Sequence, residues 1–284
     1  MNKRNEIIMK WVFLAAACSS IAIVATICAF IFANGVPAIN TIGVPEFFFG
    51  QRWRPNNEIF GILPMITGSI YVTAIAILIG VPIGVFSAMF LFAFCHEQLY
   101  AYLKPLVELL AGIPSVIYGF FGLVVIVPLV REHLGGNGSS MLTAGLLLGM
   151  MILPTIISVA EAALRAVPIS YYEGALALGA GHVRSCFFAV MPAAKSGIMA
   201  AIILGLGRAV GETMAVIMVA GNQARMPDGL LEGVRTMTAN IVIEMGYAAD
   251  LHRDALIATG VVLFVFILII NLLFYYLKGK VVQQ

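Results

Sequence analysis

The sequence predicts an all-α membrane protein, a polytopic bundle of helices that cross a lipid bilayer several times. Hydrophobic residues make up 61% of the 284 residues, charged residues only 11%, and the mean hydropathy is +1.02. A soluble domain of this length carries about 25% charged residues to cover its surface. The apolar residues lie in long runs, and no polar stretch between them is long enough to bury its own core. We therefore expect a single transmembrane domain over residues 1–284.

Six spans are predicted, because a helix crosses the bilayer core with about 20 apolar residues. In lipid the backbone must satisfy its own hydrogen bonds, so each span is predicted to be a helix and not a strand. The first apolar run is longer than the roughly 7–15 residues of a cleaved signal core, and we expect a retained anchor. The spans are placed at about 11–33, 64–92, 107–130, 141–162, 196–220 and 255–277, which gives a bundle core of about 64–277.

The distribution of lysine and arginine predicts the orientation, since these residues accumulate in cytoplasmic loops. With the N-terminus inside, nine lie in cytoplasmic segments, six in outer segments, and Arg208 stays within a span. An even number of spans then places both termini in the cytoplasm. The nine cytoplasmic residues are Lys3, Arg4, Lys10, Lys104, Arg165, Arg184, Lys195, Lys278 and Lys280.

Several classes of function are excluded by composition. The net charge of +2 is small and scattered, which argues against nucleic-acid binding. The four cysteines fall in the membrane or on the cytoplasmic side, so we expect no disulfide. No CxxC motif or cluster of histidine and cysteine indicates a metal, and we expect no cofactor. The four are Cys18, Cys28, Cys95 and Cys186.

Two opposite charges lie inside the predicted span 196–220. Arg208 and Glu212 are four residues apart, so they share one face of a helix. A lone charge at mid-bilayer costs at least about 2.5–3.5 kcal/mol. One interpretation is a structural ion pair that fixes packing; the other is that Arg208 offers a transient positive charge to an anion, with Glu212 tempering the binding. Gly207 and Gly211 allow another helix to approach closely.

Two further carboxylates, Glu108 and Glu161, are predicted to be interfacial or packing residues.

The cytoplasmic stretch 163–195, named here the 163–195 segment, contains a spaced motif. Glu173-Gly174-Ala175 is followed by Gly179 and then by Pro192. The pattern predicts a short helix over Tyr171–Leu178, a glycine turn, and a second helix over His182–Met191. Two short helices of this kind form a compact projection that another protein could hold, or an ordinary interfacial hairpin.

This spacing resembles the loop of the membrane subunits of binding-protein-dependent ABC importers. Their pattern is Glu-Ala-Ala, three residues, Gly, nine residues, Ile, one residue, Leu-Pro; here Gly174, Ala189 and Met191 replace Ala, Ile and Leu. The resemblance implies a MetI-like ABC importer permease fold, in which this loop sits in a cleft of the ATP-hydrolysing subunit and couples it to the membrane helices. Since the sequence has no G-x-x-x-x-G-K-[ST] loop, we expect it not to hydrolyse ATP itself.

Four further stretches are similar to PstC-type permease subunits of the phosphate ABC importer. They are Trp53-Arg54-Pro55 with Phe60–Pro64; Gly112–Gly119; Gly207–Thr213; and Thr238–Ile241 with Glu244-Met245-Gly246.

That family likeness implies inorganic phosphate as substrate and the inner membrane of a bacterium as location. It also implies three partners: a PstA-like second permease, a dimer of a PstB-like ATP-binding subunit, and a PstS-like periplasmic phosphate-binding protein. Loops 34–63 and 221–254 are candidate docking surfaces, or they only seal the outer gate. Glu232–Tyr247 is expected to form an amphipathic helix on the membrane. The alternatives are a permease for another oxyanion or phosphonate, a stand-alone secondary transporter or channel, and a membrane enzyme.

Overall fold

The computed structural model describes residues 3–282, with the side chains of residues 6–273 and of Tyr276. The side chains of Lys3, Arg4, Lys278 and Lys280, which contributed to the predicted orientation, lie outside this described set. Most of the described residues are helical. Two short strands, β1 (Trp53–Arg54) and β2 (Ile59–Phe60), pair antiparallel and form a hairpin. The helices are α1 Lys3–Ile42, α2 Val44–Phe49, α3 Leu63–Ala93, α4 Glu97–Gly112, α5 Ser115–Phe121, α6 Val127–Leu134, α7 Met141–Arg165, α8 Ile169–Ala177, α9 His182–Ser185, α10 Met191–Ala193, α11 Lys195–Gly211, α12 Met214–Val219, α13 Met237–Glu244 and α14 Asp250–Val282.

The predicted all-α membrane bundle is confirmed. Within the described residues, five helical stretches are long and apolar enough to cross a membrane, or six if the bent pair His182–Ala193 and Lys195–Gly211 counts as one span. The predicted spans 64–92 and 141–162 correspond closely to α3 and α7. The first and last spans, α1 and α14, are longer than predicted and pack against each other.

Two predicted spans are placed differently by the structure. The third, 107–130, is interrupted at Ile113 and Pro114, because proline has no N–H and disfavours a helical residue before it. The apolar stretch that can span then runs over Ser115–Leu134, through a π-helical turn at Gly122–Ile126. The fifth, 196–220, ends as a helix at Gly211, resumes at Met214, and is therefore not one continuous helix.

The centre of the bundle is the packing of α3 on α7, with α11, α5 and α12 around it. Small residues allow this close contact: a Cβ added at Gly84 would lie 2.7 Å from the Ile156 side chain, and one at Gly145 would lie 2.4 Å from Ile75. In a membrane, where lipid is as apolar as leucine, such close packing replaces the hydrophobic effect as the main attraction between helices.

A second core lies at the end of the bundle that carries the β-hairpin, named here the hairpin end. There α2, the hairpin and the start of α3 pack on α13 and α14, with Phe47, Ile62 and Leu256 fully buried. The predicted surface helix Glu232–Tyr247 is wrong: α13 is shorter and buries five of its eight residues, Met237, Thr238, Ala239, Asn240 and Glu244, inside the protein. Because α3 runs from the hairpin to Ala93, the 163–195 segment lies at the opposite end.

Candidate functional site

The break between α11 and α12 changes the interpretation of the two charges in the predicted fifth span. Glu212 ends α11 with an extended backbone (ψ 130°), and its Oε1 accepts hydrogen bonds from the N–H groups of Thr213 and Ala215, both at 3.2 Å. A carboxylate is favourable there, since it satisfies the first free N–H groups of a helix. No ion pair joins Arg208 to Glu212 among the described side chains, so the interpretation of these residues as a structural ion pair is wrong.

Arg208 instead lies half-buried and faces α7. Its Nη1 donates to Thr155 Oγ1 at 3.3 Å, a long bond to a neutral oxygen. On the same helix, a Cβ added at Gly207 or Gly211 would meet no neighbouring element within 4 Å. This glycine face of α11 is therefore open in the single chain, and the guanidinium beside it has no carboxylate partner among the described residues. No pattern in the sequence indicated a role for Thr155.

The 163–195 segment has the predicted helix–turn–helix form. α8 ends at a Schellman motif: Ala180 N–H donates to Ala175 O at 3.1 Å, Gly179 N–H donates to Leu176 O at 2.9 Å, and Gly179 has φ +87°. Glycine adopts this left-handed backbone without the strain of a Cβ, which explains its place in the motif. Glu173 and Gly174 are exposed on α8, and a Cβ at Gly174 would meet nothing within 4 Å. The replacement of Ala by Gly174 therefore leaves no packing gap.

His182, which the sequence did not single out, fixes the second short helix. One ring nitrogen, Nδ1, lies 2.8 Å from the Tyr172 hydroxyl of α8, and the other, Nε2, lies 2.9 Å from the carbonyl oxygen of Ala93 at the end of α3. The ring also contacts Phe94 edge-on. His182 thus joins the two short helices to α3, in addition to the burial of Cys186 and Val190 in the core of the bundle.

The outer surface of the 163–195 segment is apolar. Leu178 is 91% exposed and Phe188 is 78% exposed, and Ile169, Tyr171 and Val183 are also exposed. The chain then passes through α10, which contains Pro192, and bends by 71° into α11. Large apolar side chains that are exposed side by side are typical of a surface that another protein covers.

Glu161 is a packing residue, as predicted, and its contacts connect α4 to α7. Its carboxylate accepts from Tyr100 (2.7 Å), Lys104 (2.8 Å) and Arg165 (2.7 Å) while remaining almost fully buried. The hydrogen bond to this carboxylate raises the pKa of Tyr100, so its hydroxyl remains a donor. Glu108 is exposed and lies 3.7 Å from Lys104.

The chain has sequence relatives over most of its length. It is 36% identical over 276 residues to the probable ABC transporter permease protein YqgH of Bacillus subtilis, which covers 94% of this chain and 89% of that one. It is 36% identical over 272 residues to the phosphate transport system permease protein PstC of Mesorhizobium japonicum (88% and 83% covered). It is also 32% identical over 276 residues to the probable PstC protein of Methanocaldococcus jannaschii (89% and 87% covered).

Solved structures confirm the predicted MetI-like permease fold. A chain of the bacterial alginate ABC transporter, in complex with its alginate-bound periplasmic protein, matches with a TM-score of 0.67 at 15% identity, covering 98% of this chain and 97% of that one. A chain of the inward-facing MetNI methionine ABC transporter matches with a TM-score of 0.64 at 19% identity (81% and 99% covered).

The family assignment rests on the model for the binding-protein-dependent transport system inner membrane component, which matches residues 80–283. That range includes the bent 163–195 segment, the break after α11, the whole of α7 and residues 80–93 of α3. The chain belongs to this family of multi-pass ABC importer permease subunits.

Proposed function

We propose that this chain is the permease subunit of an ATP-driven phosphate importer and forms half of the phosphate pathway. The relatives named as phosphate transport permeases support the substrate, since they align with most of the chain. In the proposed complex it pairs with a homologous second permease. Two ATP-binding subunits hold the 163–195 segment, and a phosphate-binding protein docks at the hairpin end. Both termini are then cytoplasmic.

The observation that carries the pathway role is the position of Arg208. It lies beside the open glycine face of α11, where a second permease would pack, and among the described residues its guanidinium hydrogen-bonds to one hydroxyl, that of Thr155. The positive charge of a guanidinium without a carboxylate partner is not compensated by a neighbour, so it can attract an anion in the pathway. Glu212, whose carboxylate is held by two backbone N–H groups, contributes negative charge four residues further along the chain without neutralising Arg208. This arrangement favours a transient, releasable anion site.

The observation that carries the coupling role is the exposed apolar surface of the 163–195 segment together with the 71° bend that follows it. Glu173, Gly174 and Ala175 lie on α8, Gly179 ends it, and Pro192 precedes the bend into α11. A partner that moves this surface moves the helix that carries Arg208, because a single residue, Ala194, separates α10 from α11.

The test is reconstitution of the full complex in vesicles with the second permease, the ATP-binding subunit and the binding protein. Phosphate should drive ATP hydrolysis and uptake together. Arg208→Ala should abolish uptake while the complex still assembles, and the matched control Arg131→Ala, at the exposed end of α6, should transport normally.

Three outcomes would contradict the proposal in different ways. Wild-type uptake by an assembled Arg208→Ala complex would remove the pathway role. Turnover driven by sulfate or a phosphonate, but not by phosphate, would change the substrate. Phosphate flux through the chain alone, without ATP, would indicate a secondary transporter or channel.

A further inference from the structure

The short helix α13 touches both the break in the fifth span and the β-hairpin. At its N-terminal end, the Thr238 hydroxyl donates to the carbonyl oxygen of Glu212 at 3.3 Å. At its C-terminal end, Glu244 Oε2 accepts from Trp53 Nε1 of the hairpin at 2.7 Å. Six residues of helix separate these ends by about 9 Å. One buried element therefore connects the surface of the hairpin end to the helix that carries Arg208.

The C-terminal end of α13 is fixed by several donors. The second oxygen of Glu244, Oε1, accepts from Arg235 Nη1 at 2.6 Å, and Oε2 also lies 2.9 Å from His252 Nε2 of α14. The carboxylate is almost fully buried. Charged hydrogen bonds in such a setting are roughly twice as strong as neutral ones. The hairpin, α13 and α14 are thus joined at one carboxylate.

A second connection leads from the same carboxylate to the other end of α12. The Arg235 Nε group donates to the carbonyl oxygen of Asn222 at 3.0 Å, and the Asn222 side-chain amide donates to the carbonyl oxygen of Ile217 at 2.7 Å. Ile217 belongs to α12, whose start is capped by Glu212. The start of α12 is therefore held by Glu212, which contacts α13, and its end by Asn222, which is connected to Glu244 through Arg235.

The body of α13 is closely packed against the rest of the bundle. Met237 and Ala239 are fully buried, and the Met237 N–H donates to Ser69 Oγ of α3 at 2.9 Å. A close-packed interior transmits a displacement instead of absorbing it. A shift of the hairpin must therefore displace α12 and the break, or break these hydrogen bonds.

We propose that α13 is a strut that transmits docking of the binding protein at the hairpin to the break at Glu212 and Thr213, with Glu244 and Thr238 as positioning residues at its two ends. The inference rests on the proposed function, in which a binding protein docks at the hairpin end. It assigns a role to two residues that do not touch the substrate.

The test uses two conservative variants in the reconstituted complex. Trp53→Phe removes the indole N–H, together with part of the ring, at one end of the strut, and Thr238→Val replaces the hydroxyl with a methyl group at the other. The control Thr259→Val removes a buried hydroxyl that bonds to Ala255 of its own helix, α14, and to no part of the strut. Glu244→Gln is a stronger variant, used where the complex still assembles.

The readout separates docking from transmission. Trp53 and Thr238 are buried, so neither can contact a docked protein. Each variant should therefore leave unchanged the concentration of phosphate-loaded binding protein that gives half-maximal ATPase stimulation. The maximal stimulated rate should fall about fivefold, the lower end of usual coupling between sites. The double variant should lose no more than Trp53→Phe alone, because both connections to α12 start from the contact between Trp53 and Glu244. The control should behave as wild type.

Two results would overturn the strut. One is full maximal stimulation in Trp53→Phe and Thr238→Val. The other is a raised half-saturating concentration with an unchanged maximal rate, which would make these residues part of the docking surface only.

A second measurement needs neither phosphate nor a binding protein, so it tests the strut separately from the proposed substrate. Amide hydrogen exchange in Met214–Val219 should become about fivefold faster in Trp53→Phe, although Trp53 lies in the hairpin. Faster exchange confined to residues 53–60 would mean that the indole only stabilises its own hairpin, and would refute transmission. If the exchange effect is present but phosphate does not stimulate the wild-type complex, the proposed substrate is wrong, whereas the proposed role of α13 is still supported.

Discussion

Glu161 and Glu244 are both buried carboxylates that meet three partners, at opposite ends of the bundle. The partners of Glu161 come from α4 and from its own helix, and two of them reach water: Lys104 is 21% and Arg165 is 47% exposed. The partners of Glu244 come from the hairpin, the stretch before α13 and the start of α14, and its cationic partner Arg235 is only 15% exposed.

The difference shows how each end is built. Around Glu244, contacts between residues far apart in the chain hold several segments together as one body. At the other end, Glu161 fixes α4, and the 163–195 segment beside it is held by the burial of Cys186 and Val190 and by His182. Its outer side exposes apolar side chains. The hairpin end is stabilised within the chain, while the 163–195 segment is suited to be stabilised by a partner.

The largest effect is expected for Glu244→Leu. It leaves Arg235 buried without its carboxylate, and removal of one member of a buried pair costs about 3–5 kcal/mol. The free energy of unfolding of the purified chain in detergent should fall by that order. The control Glu232→Leu, which removes an exposed partner of Arg225, should cost at most about 1 kcal/mol. Equal losses would show that the Glu244 cluster is not the rigid body described above.

Glu161→Leu should destabilise the chain less, by about 1–2 kcal/mol, because Lys104 and Arg165 can turn towards water once the carboxylate is gone. The same unfolding measurement gives the comparison, and Glu108→Gln, on the exposed carboxylate 3.7 Å from Lys104, is the matched control with little expected change. A loss larger than that of Glu244→Leu would reverse the comparison between the two ends.

These two clusters also mark the limit of sequence-based prediction. Trp53 and Glu244 are separated by 191 positions, and Tyr100 and Glu161 by 61; nothing local indicates that such residues meet. The sequence places Arg208 and Glu212 correctly as charges within an apolar run. The break at Gly211 was not predicted because hydropathy measures apolarity and not helix continuity, and glycine and threonine are common in spans.

The 163–195 segment was predictable because local rules build it. A glycine that must adopt φ +87° and a proline before the next helix act on their immediate neighbours, so their spacing specified both short helices. His182 was missed, since its partners Tyr172 and Ala93 come together only in the folded bundle.

Gly179→Ala tests the local turn and should have a moderate effect. A Cβ there meets no atom within 4 Å, so the cost is backbone strain alone, about 1–2 kcal/mol. We expect a distorted α8 and reduced uptake per ATP hydrolysed in the reconstituted complex. Gly181→Ala is the matched control, because Gly181 has φ −73°, which any residue adopts. Equal effects of the two substitutions would show that the left-handed turn is not what the coupling requires.

Gly174→Ala should have the smallest effect, and it tests whether a partner supplies the stability of the 163–195 segment. Alanine favours the helix by about 0.5–1 kcal/mol and fits without contact. In the chain alone, amide exchange in Ile169–Ala177 should therefore slow by up to about fivefold. In the assembled complex the ATP-binding subunit already holds α8, so the same substitution should slow exchange much less. An equal slowing in both states would mean that α8 is no better held in the complex than alone, and the exposed apolar surface would then need another occupant.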